Sequence, residues 1–495
     1  MTTSAFAANF FYFVLSVNWI AEWNWSEKFS HFRSRRLLHA FLILVAMHLI
    51  WLVGTTNFAY ALHDLQVKLP LLAVPLIVLT SQPLSNKQRW IIGSFYVTTV
   101  FVVSIIGIVR YLTIPNLPYR SIVPYISHIR FALNVCLTLV FIAYAAIYMW
   151  KNTPRHRWLW TPVAILLTIW LLYFLTILQS YTSAAVLLAM LIAIGVWAVT
   201  KSAKRWQKLT ALALAIVIIG GSTIAIINIA DDYYRPTALE SAPLATHTAN
   251  GNAYSHSCDG LIENGGQVSN YVCETELRQA WPLLSQMGID DTTPIGYPVY
   301  PTLIRYLGSR GLTKDAQGVM SLTPTDINAI EKGVANHVYI DGSTPRQMIY
   351  RLLFEYENYR VYGSVDNSSL GERLLLWQSG WQVFCQHSLL GVAPGDVPDL
   401  CHEQIAENHP SMAQTQKHLH NQYLSFLVGF GIVGFLVIAA AFIRAIPHRS
   451  RWTLPLLLYI IIVLVSFVAE DTLETLAGIL FCTFPIALFR TEEKP

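Results

Sequence analysis

Runs of about twenty apolar residues recur along this chain, separated by short loops that alternate between basic and nearly uncharged. That pattern constrains the fold more than any other feature. A helical run of this length matches a hydrocarbon core of roughly 30 Å. The runs fall at 6–20, 38–57, 66–80, 90–112, 129–150, 157–177, 182–199, 209–229, 422–443, 452–469 and 473–489. The third is short and holds Pro70 and Pro75, which predicts a broken or re-entrant segment. Between 230 and 421 no run is long enough to span. The sequence therefore predicts an all-α polytopic membrane protein of about 11–12 transmembrane helices. Residues 1–229 form a bundle of about eight spans, 230–421 one large, mainly helical domain, and 422–495 about three spans with a short tail. Composition agrees: hydrophobic residues are 54% and charged residues 13%, about half the charged share of soluble proteins. Such a chain cannot cover several water-facing surfaces, and neither bulk disorder nor a nucleic-acid module fits it.

Orientation follows from the short loops, because Lys and Arg are retained in the cytoplasm. One set carries Lys28, Arg33, Arg35, Arg36, Lys87, Arg89, Lys151, Arg155, Arg157, Lys201, Lys204, Arg205, Lys208, Arg444, Arg449, Arg451, Arg490 and Lys494. The alternate set, leaving out 230–421, holds only Lys68, Arg110, Arg120 and Arg130. The basic set is expected to be cytoplasmic, and 230–421 to lie outside. Met1–Phe10 carries no charge and lacks a basic n-region, so the first run reads as a retained anchor. The outer region holds Cys258, Cys273, Cys385 and Cys401. Thiols outside the cytoplasm oxidise. Of the three possible pairings, the local one joins Cys258 with Cys273 and Cys385 with Cys401; four reduced thiols are the alternative.

Several chemistries are absent. No G-x-x-x-x-G-K-[ST] occurs, so there is no P-loop, and no G-x-G-x-x-G follows a strand. His402-Glu403 opens like H-E-x-x-H but the fifth position is Ala406, and no C-x-x-C or Asp-x-Asp occurs. A substrate used outside the cytoplasm must then arrive already activated, most plausibly on a lipid carrier. No metal or organic cofactor is expected.

Four constellations carry chemistry. Arg373, Trp377, Trp381 and Phe384 fall at i, i+4, i+8 and i+11, one face of a helix. A guanidinium heading an aromatic stripe suits a phosphate at a membrane surface; an amphipathic packing helix with a snorkelling Arg has the same pattern. His418-Leu-His420-Asn421-Gln422-Tyr423 stands directly before the ninth run. Imidazole at that boundary can serve as a general base, with Asn421 and Gln422 orienting it or a hydroxyl; an interfacial His beside a Tyr anchor is the plainer reading. Ser127-His128-Ile-Arg130 opens the fifth run on the outer side, where a cation is costly unless it meets an anion. Glu470, Asp471 and Glu474, between the last two runs, can pair with the arginines, assist the His or cap a helix.

With those residues in hand, the chain resembles the O-antigen ligase and Wzy polymerase superfamily. The resemblance rests on Arg373…Trp377, then His387-Ser-Leu-Leu-Gly391…Gly395, then His420-Asn421-Gln422-Tyr423-Leu424…Gly429…Gly431…Gly434. Asn18-Trp19, Lys68-Leu-Pro70, Ser127-His128-Ile129-Arg130, Arg305-Tyr306…Gly311…Asp315…Gly318 and Glu470-Asp471-Thr-Leu-Glu474 look like the branch found in Bacteroidetes-type bacteria. The family often has a Ser-Arg pair before the seventh span; here it reads Ser180-Tyr181, which puts the family's phosphate assignment in doubt at that position. The resemblance implies a GT-C-type helical enzyme of the bacterial inner membrane, acting at the periplasmic face as a monomer. It implies a glycan donor on undecaprenyl pyrophosphate, a lipid A–core acceptor and surrounding membrane lipids. The roles it implies are His420 as base, Arg373 on the pyrophosphate, Arg130 as second cation beside His128, Trp377 and the Asn421–Gln422 pair at the substrate, and Glu470 or Asp471 as orienting carboxylate. A Wzy-type polymerase and a protein O-oligosaccharyltransferase are the near alternatives; a flippase is the reading from another class.

The topology is open to a direct measurement. In a cysteine-free background, a membrane-impermeant maleimide applied from outside is expected to label Asn367→Cys and to leave Asn152→Cys unlabelled; the reverse pattern would sink the assignment of sides.

Overall fold

The computed structural model describes residues 5–115, 117–152, 157–201, 204–257, 260–365, 368–410, 418–447 and 452–489. It is 73% helical, and its one sheet among the described residues is the hairpin pairing Ile262–Glu263 with Gly266–Gln267. An apolar chain in a bilayer must satisfy its own backbone hydrogen bonds, and helices do this within each segment. The first stretch gives α1 (Ala5–Ala21), α2 (Trp25–Ser34), α3 (Arg36–Trp51), α4 (Phe58–Thr80), α5 (Asn86–Thr113), α6 (His128–Asn152), α7 (Arg157–Leu178), α8 (Tyr181–Lys201) and α9 (Arg205–Tyr234). Six short or medium helices follow: α10 (Glu274–Ala280), α11 (Val299–Ser309), α12 (Ala316–Met320), α13 (Pro324–Glu331), α14 (Val338–Asp341) and α15 (Thr344–Tyr362). Then come α16 (Ser369–Gln386), α17 (Val397–Asn408), α18 (Gln422–Ala445), α19 (Leu454–Ala469), α20 (Leu476–Thr483) and α21 (Ile486–Phe489).

Eight helical stretches of 19–30 residues, one of them α3 continued to Gly54, are apolar enough to cross a bilayer, and three shorter apolar helices lie at Phe10–Ala21, Leu454–Ala469 and Leu476–Phe489. Together they occupy the eleven runs read from the sequence. The protein is an all-α, multi-pass membrane protein. The third run departs from expectation: α4 is one continuous helix of 23 residues with both prolines inside it. Its first turns, 58–65, fall outside the apolar run because Asp64 interrupts it. In the fold these two pair across one helical turn, and Glu474 joins them, so the buried charge is compensated.

The chain divides into two compact units, one of Met1–Ala215 with Arg373–Pro495 and one of Ile216–Glu372; the division falls inside α9. The polar region expected over 230–421 is thus split, and its last part belongs with the membrane helices. Two sets of bonds explain why. The buried Asp396 carboxylate accepts from Thr55 Oγ1 at 2.8 Å and from the N–H groups of Thr56 and Asn57 at 2.8 Å each, where an anion suits the N-terminus of α4. The 388–393 strand of chain also docks on a break in α18. Val392 and Ala393 donate to the carbonyls of Val428 and Gly429, while Ile432 and Val433 donate to those of Ser388 and Leu389, at 2.8–3.2 Å. The break is at Gly431 (φ 63°, ψ −174°), and a Cβ there would lie 2.3 Å from the Leu389 carbonyl oxygen. A Cβ on Gly391 would lie 2.5 Å from the Gly431 nitrogen. The glycines of the motif serve this backbone crossing.

The core of the first unit gathers Phe41, Leu71, Phe131, Leu137, Phe174, Phe430 and Ile462, among others, around α6, the most buried of the long helices. Within it Asn134 accepts from Tyr96 Oη and donates to the Arg130 carbonyl, and Trp170 Nε1 donates to Ser104. The second unit has its own core of Leu277, Trp281, Leu303, Tyr306, Leu307 and Ile330. There Arg305 grips Glu263 through two bonds of 2.8 and 2.9 Å, and Asp315 caps α12 through the Gly318 N–H at 2.8 Å. These residues of the resemblance hold the second unit together.

Of the two expected disulfides, only the pair Cys385 with Cys401 lies wholly among the described residues. Cys273, Cys385 and Cys401 carry free thiols; Cys258 lies outside the described residues. Cys385 faces outward from α16, whereas Cys401 is buried on α17, so the two do not face each other, and burial pushes the Cys401 thiol up to about 12. Cys273 instead contacts Thr275 Oγ1 at 3.4 Å.

Gly431→Ala places a side chain in a backbone region that only glycine tolerates, at about 1–3 kcal/mol, before counting the clash with Leu389. Thermal unfolding in detergent is expected to fall by several degrees for Gly431→Ala and to stay unchanged for Gly54→Ala, where a Cβ meets nothing within 4 Å.

Candidate active site

Three sequence-distant segments meet at the ends of membrane helices. α16 brings Arg373, the turn before α18 brings His420, and the turn after α19 brings Glu470 and Asp471. Arg373 Nη2 lies 3.1 Å from Glu470 Oε1, and its Nε donates to the Ala469 carbonyl at 3.3 Å. One guanidinium thereby serves both a carboxylate and the C-terminal, negative end of α19. Next in chain, Asp471 is 3% exposed and faces two imidazoles: its Oδ1 is 3.6 Å from His420 Nδ1 and its Oδ2 is 3.9 Å from His418 Nδ1. These pairs are slightly longer than hydrogen bonds. They point Nδ1 of His420 at the carboxylate and leave Nε2 as the atom able to take a proton.

The chain reaches His420 through a left-handed residue, φ +50°, a conformation that tertiary contacts must hold. Asn421 then turns the chain into α18 by accepting the Leu424 N–H at 3.1 Å. Gln422 is fully buried; its Nε2 donates to Glu474 at 3.1 Å and its Oε1 accepts the Leu473 N–H at 2.8 Å. Asn421 thus caps α18 through its side-chain oxygen, and Gln422 ties the base segment to the carboxylate turn. Glu474 in turn lies 2.6 Å from Lys68 Nζ. Lys68, one of the residues of the resemblance, and Asp64, which the sequence reading passed over, thus support the site. An Asp and a Lys four residues apart beside an apolar run were the available signal.

The charges act on one another. Burial alone would lower the His420 imidazole, but Asp471 and then Glu470 outweigh it and hold it above its ordinary value. Burial would raise Asp471, and His420 pulls it below the usual carboxylate range. Glu470 is raised by burial, with His420, Arg373 and Arg130 opposing. Arg130 is half-buried, with no partner for its Nε among the described residues. His128 lies in the field of Arg120 and Arg373 and stacks edge-on against Tyr119 at 5.6 Å. The structure therefore brings Arg373, His420, Glu470 and Asp471 into contact and sets Arg130 and His128 within their electrostatic reach. Trp377 follows Arg373 by one turn, half-buried, its indole N–H also without a partner among the described residues. At Ser180, in place of the family's Ser-Arg pair, the hydroxyl accepts the Ser183 N–H and helps start α8.

His420, Glu470 and Asp471 bring one ligand atom each within 4.8 Å of one another. A cation placed there would compete with Arg373 for Glu470 and meet the field of Arg130. The donor set with its two guanidinium neighbours is better matched to proton transfer beside an anion than to a divalent ion.

Comparison with known proteins bears on this segment. Residues 321–439 match the family model described as O-antigen ligase, a stretch that contains Arg373, Trp377, His420 and the glycines of the α18 crossing. The resemblance to the O-antigen ligase/Wzy superfamily is thereby shown. No curated protein and no solved structure matches the chain.

Removing the Asp471 charge leaves burial as the largest influence on His420. In histidine-labelled protein followed by NMR, His420 is expected to titrate above about 6.5, the free imidazole value. In Asp471→Asn it should titrate below the wild-type midpoint; an unchanged midpoint would remove Asp471 as its partner.

Proposed function

We propose that the protein is an O-antigen ligase of the bacterial inner membrane, a GT-C-type glycosyltransferase with its site on the periplasmic face. It transfers a glycan from undecaprenyl pyrophosphate to a hydroxyl of lipid A–core. The observation that carries this reading is the pairing of Arg373 with Glu470 and of His420 with Asp471 on adjacent residues at the end of a membrane helix. In this reading Arg373 is the phosphate-binding cation and His420 the base beside it, at the depth of a lipid headgroup. The match to the O-antigen ligase family model over 321–439 supports the class, and the loop charges support the side.

In this reading the acceptor O–H gives its proton to His420 Nε2, while Asp471 steadies the imidazolium through Nδ1. The acceptor oxygen forms a bond to the anomeric carbon as the bond from that carbon to the pyrophosphate oxygen breaks. The electron pair leaves on undecaprenyl pyrophosphate, whose developing charge Arg373 and Arg130 receive. One displacement inverts the anomeric centre. Glu470 holds Arg373 until the pyrophosphate competes for it. The leaving group carries the activation, so no nucleotide takes part and transfer is expected to persist in a chelator.

The test uses purified protein in nanodiscs with lipid-linked glycan. His420→Ala is expected to lose about 10²–10⁴-fold in turnover while still binding the donor. Arg373→Ala should also weaken donor binding, and Arg373→Lys should restore it only partly, because the bidentate fork is lost. Near-wild-type turnover by His420→Ala would refute the base. Transfer to unloaded lipid-linked repeat rather than lipid A–core would make the protein a polymerase.

A further inference from the structure

Between Arg373 and Asp396 the chain holds no Asp, Glu, Lys or Arg. This uncharged stretch contains the turn that follows α16, and two neighbouring leucines stand out from it: Leu389 is 68% exposed and Leu390 60%. We propose that this turn is seated in the bilayer, at the boundary of headgroups and acyl chains on the side of the site, and that lipid chains cover Leu389 and Leu390.

The turn lies at membrane depth. Gly380 of α16 packs against Leu424 in the first turn of α18, where a Cβ would meet the leucine Cδ2 at 3.1 Å. Farther along, the Leu389 carbonyl accepts from the Val433 N–H at 3.2 Å. α16 and its turn therefore descend beside α18, in the direction in which α18 enters the membrane. Leu424 to Val433 is a helical rise of roughly 13 Å, enough to pass from the headgroups to the acyl chains. The neighbouring surfaces are apolar and open. Leu49 and Ile50, at the end of membrane helix α3, and Val53 just beyond it are exposed, Val53 at 92%. So are Ile432 and Val433 of α18. Both helices are bonded to the turn, so its leucines continue the lipid-facing surface of the bundle.

The backbone is bonded as such a place requires. A turn in water can leave its carbonyls to the solvent. Here the carbonyl of His387 accepts from the Gly391 N–H at 2.9 Å, and that of Ser388 from the Ile432 N–H at 2.8 Å. The Leu389 carbonyl takes the Val433 N–H, and the Leu390 carbonyl takes Trp51 Nε1 at 2.6 Å. Consecutive carbonyls are thus satisfied by protein, as a lipid environment demands, and one of the donors is an indole, a group that favours the membrane interface. Amides of α16 are paired as well. Gln382 Oε1 accepts from Asn408 at 3.2 Å and Gln386 Nε2 donates to Gln404 at 3.3 Å, both on α17. Apolar side chains at the boundary of headgroups and acyl chains anchor a segment there. Arg373 heads the same helix about four turns before the turn, so a seated turn holds that guanidinium at headgroup depth whatever anion it serves.

The test uses the full chain in nanodiscs. In a cysteine-free background, a nitroxide on Leu389→Cys is expected to be relaxed severalfold more by oxygen, which concentrates among acyl chains, than by a water-soluble nickel chelate. On Glu403→Cys, exposed on α17, the order is expected to reverse. Relaxation by the chelate at Leu389→Cys equal to that at Glu403→Cys puts the turn in water, and shielding from both reagents puts protein over it; either result overturns the proposal. A second measurement needs no substitution. The unaltered protein is irradiated with a phospholipid that carries a diazirine near the head of one acyl chain, and the adducts are mapped by mass. Adducts on Leu389 or Leu390, at yields comparable with those on Leu49 and Ile50, are expected. Adducts on Leu49 and Ile50 with none over 381–390 overturn the assignment.

Discussion

The turn Glu470-Asp471 is the constraint on which the rest of this site depends. Two buried carboxylates side by side repel each other unless each has its own partner. Here each does: Arg373 answers Glu470 from α16, and the two imidazoles answer Asp471 from the segment before α18. The pairing fixes where three segments must come together, and burial makes the cost of breaking either pair high, on the order of 3–5 kcal/mol. Everything nearby serves to hold that turn. Gln422 takes the Leu473 N–H, Lys68 and Gln422 take Glu474, and Glu474 closes back on the Asp471 carbonyl.

The large elements were legible in the sequence because the bilayer leaves so few choices. A run of twenty apolar residues has only the helix open to it, and all eleven runs lie on helices. The reading failed where charge enters a span. Asp64 looks like a loop residue by hydropathy, yet with Lys68 and Glu474 it forms a compensated group that lets α4 continue for 23 residues. It failed again at the edge of the polar region. Nothing in the spacing of Asp396 or Gly391 says that one caps α4 and the other crosses α18, since both facts depend on segments hundreds of residues away or on backbone geometry.

For the candidate site the division is similar. Arg373, His420, Glu470 and Asp471 were identifiable as residue types that chemistry would use, and the fold does bring them together. Their pairing was not readable: whether Glu470 or Asp471 meets the base depends on which way a turn faces. The reading singled out Asn421 and Gln422 as amides beside a histidine, and the fold gives each a supporting bond. A cap needs only the helix start that follows Asn421, and that signal was present in the sequence. The role of Gln422 was not, because its two partners lie about fifty residues downstream.

The glycine motif shows how such a site can be precise without being polar throughout. A helix broken inside an apolar layer leaves carbonyls and N–H groups with no water to turn to, at several kcal/mol each. α18 breaks at Gly431, and the 388–393 segment supplies donors and acceptors on both sides of the break. That segment ends at Asp396, which is itself locked to the start of α4, and α4 carries Lys68 to Glu474. The same bonds that make the break affordable therefore run from the helix that follows His420, through the N-terminus of α4, to the carboxylate turn that faces His420. A close backbone crossing at two glycines and a buried aspartate at a helix start set the register of α18 and α4, and with it the 3.6 Å between Asp471 and the His420 imidazole.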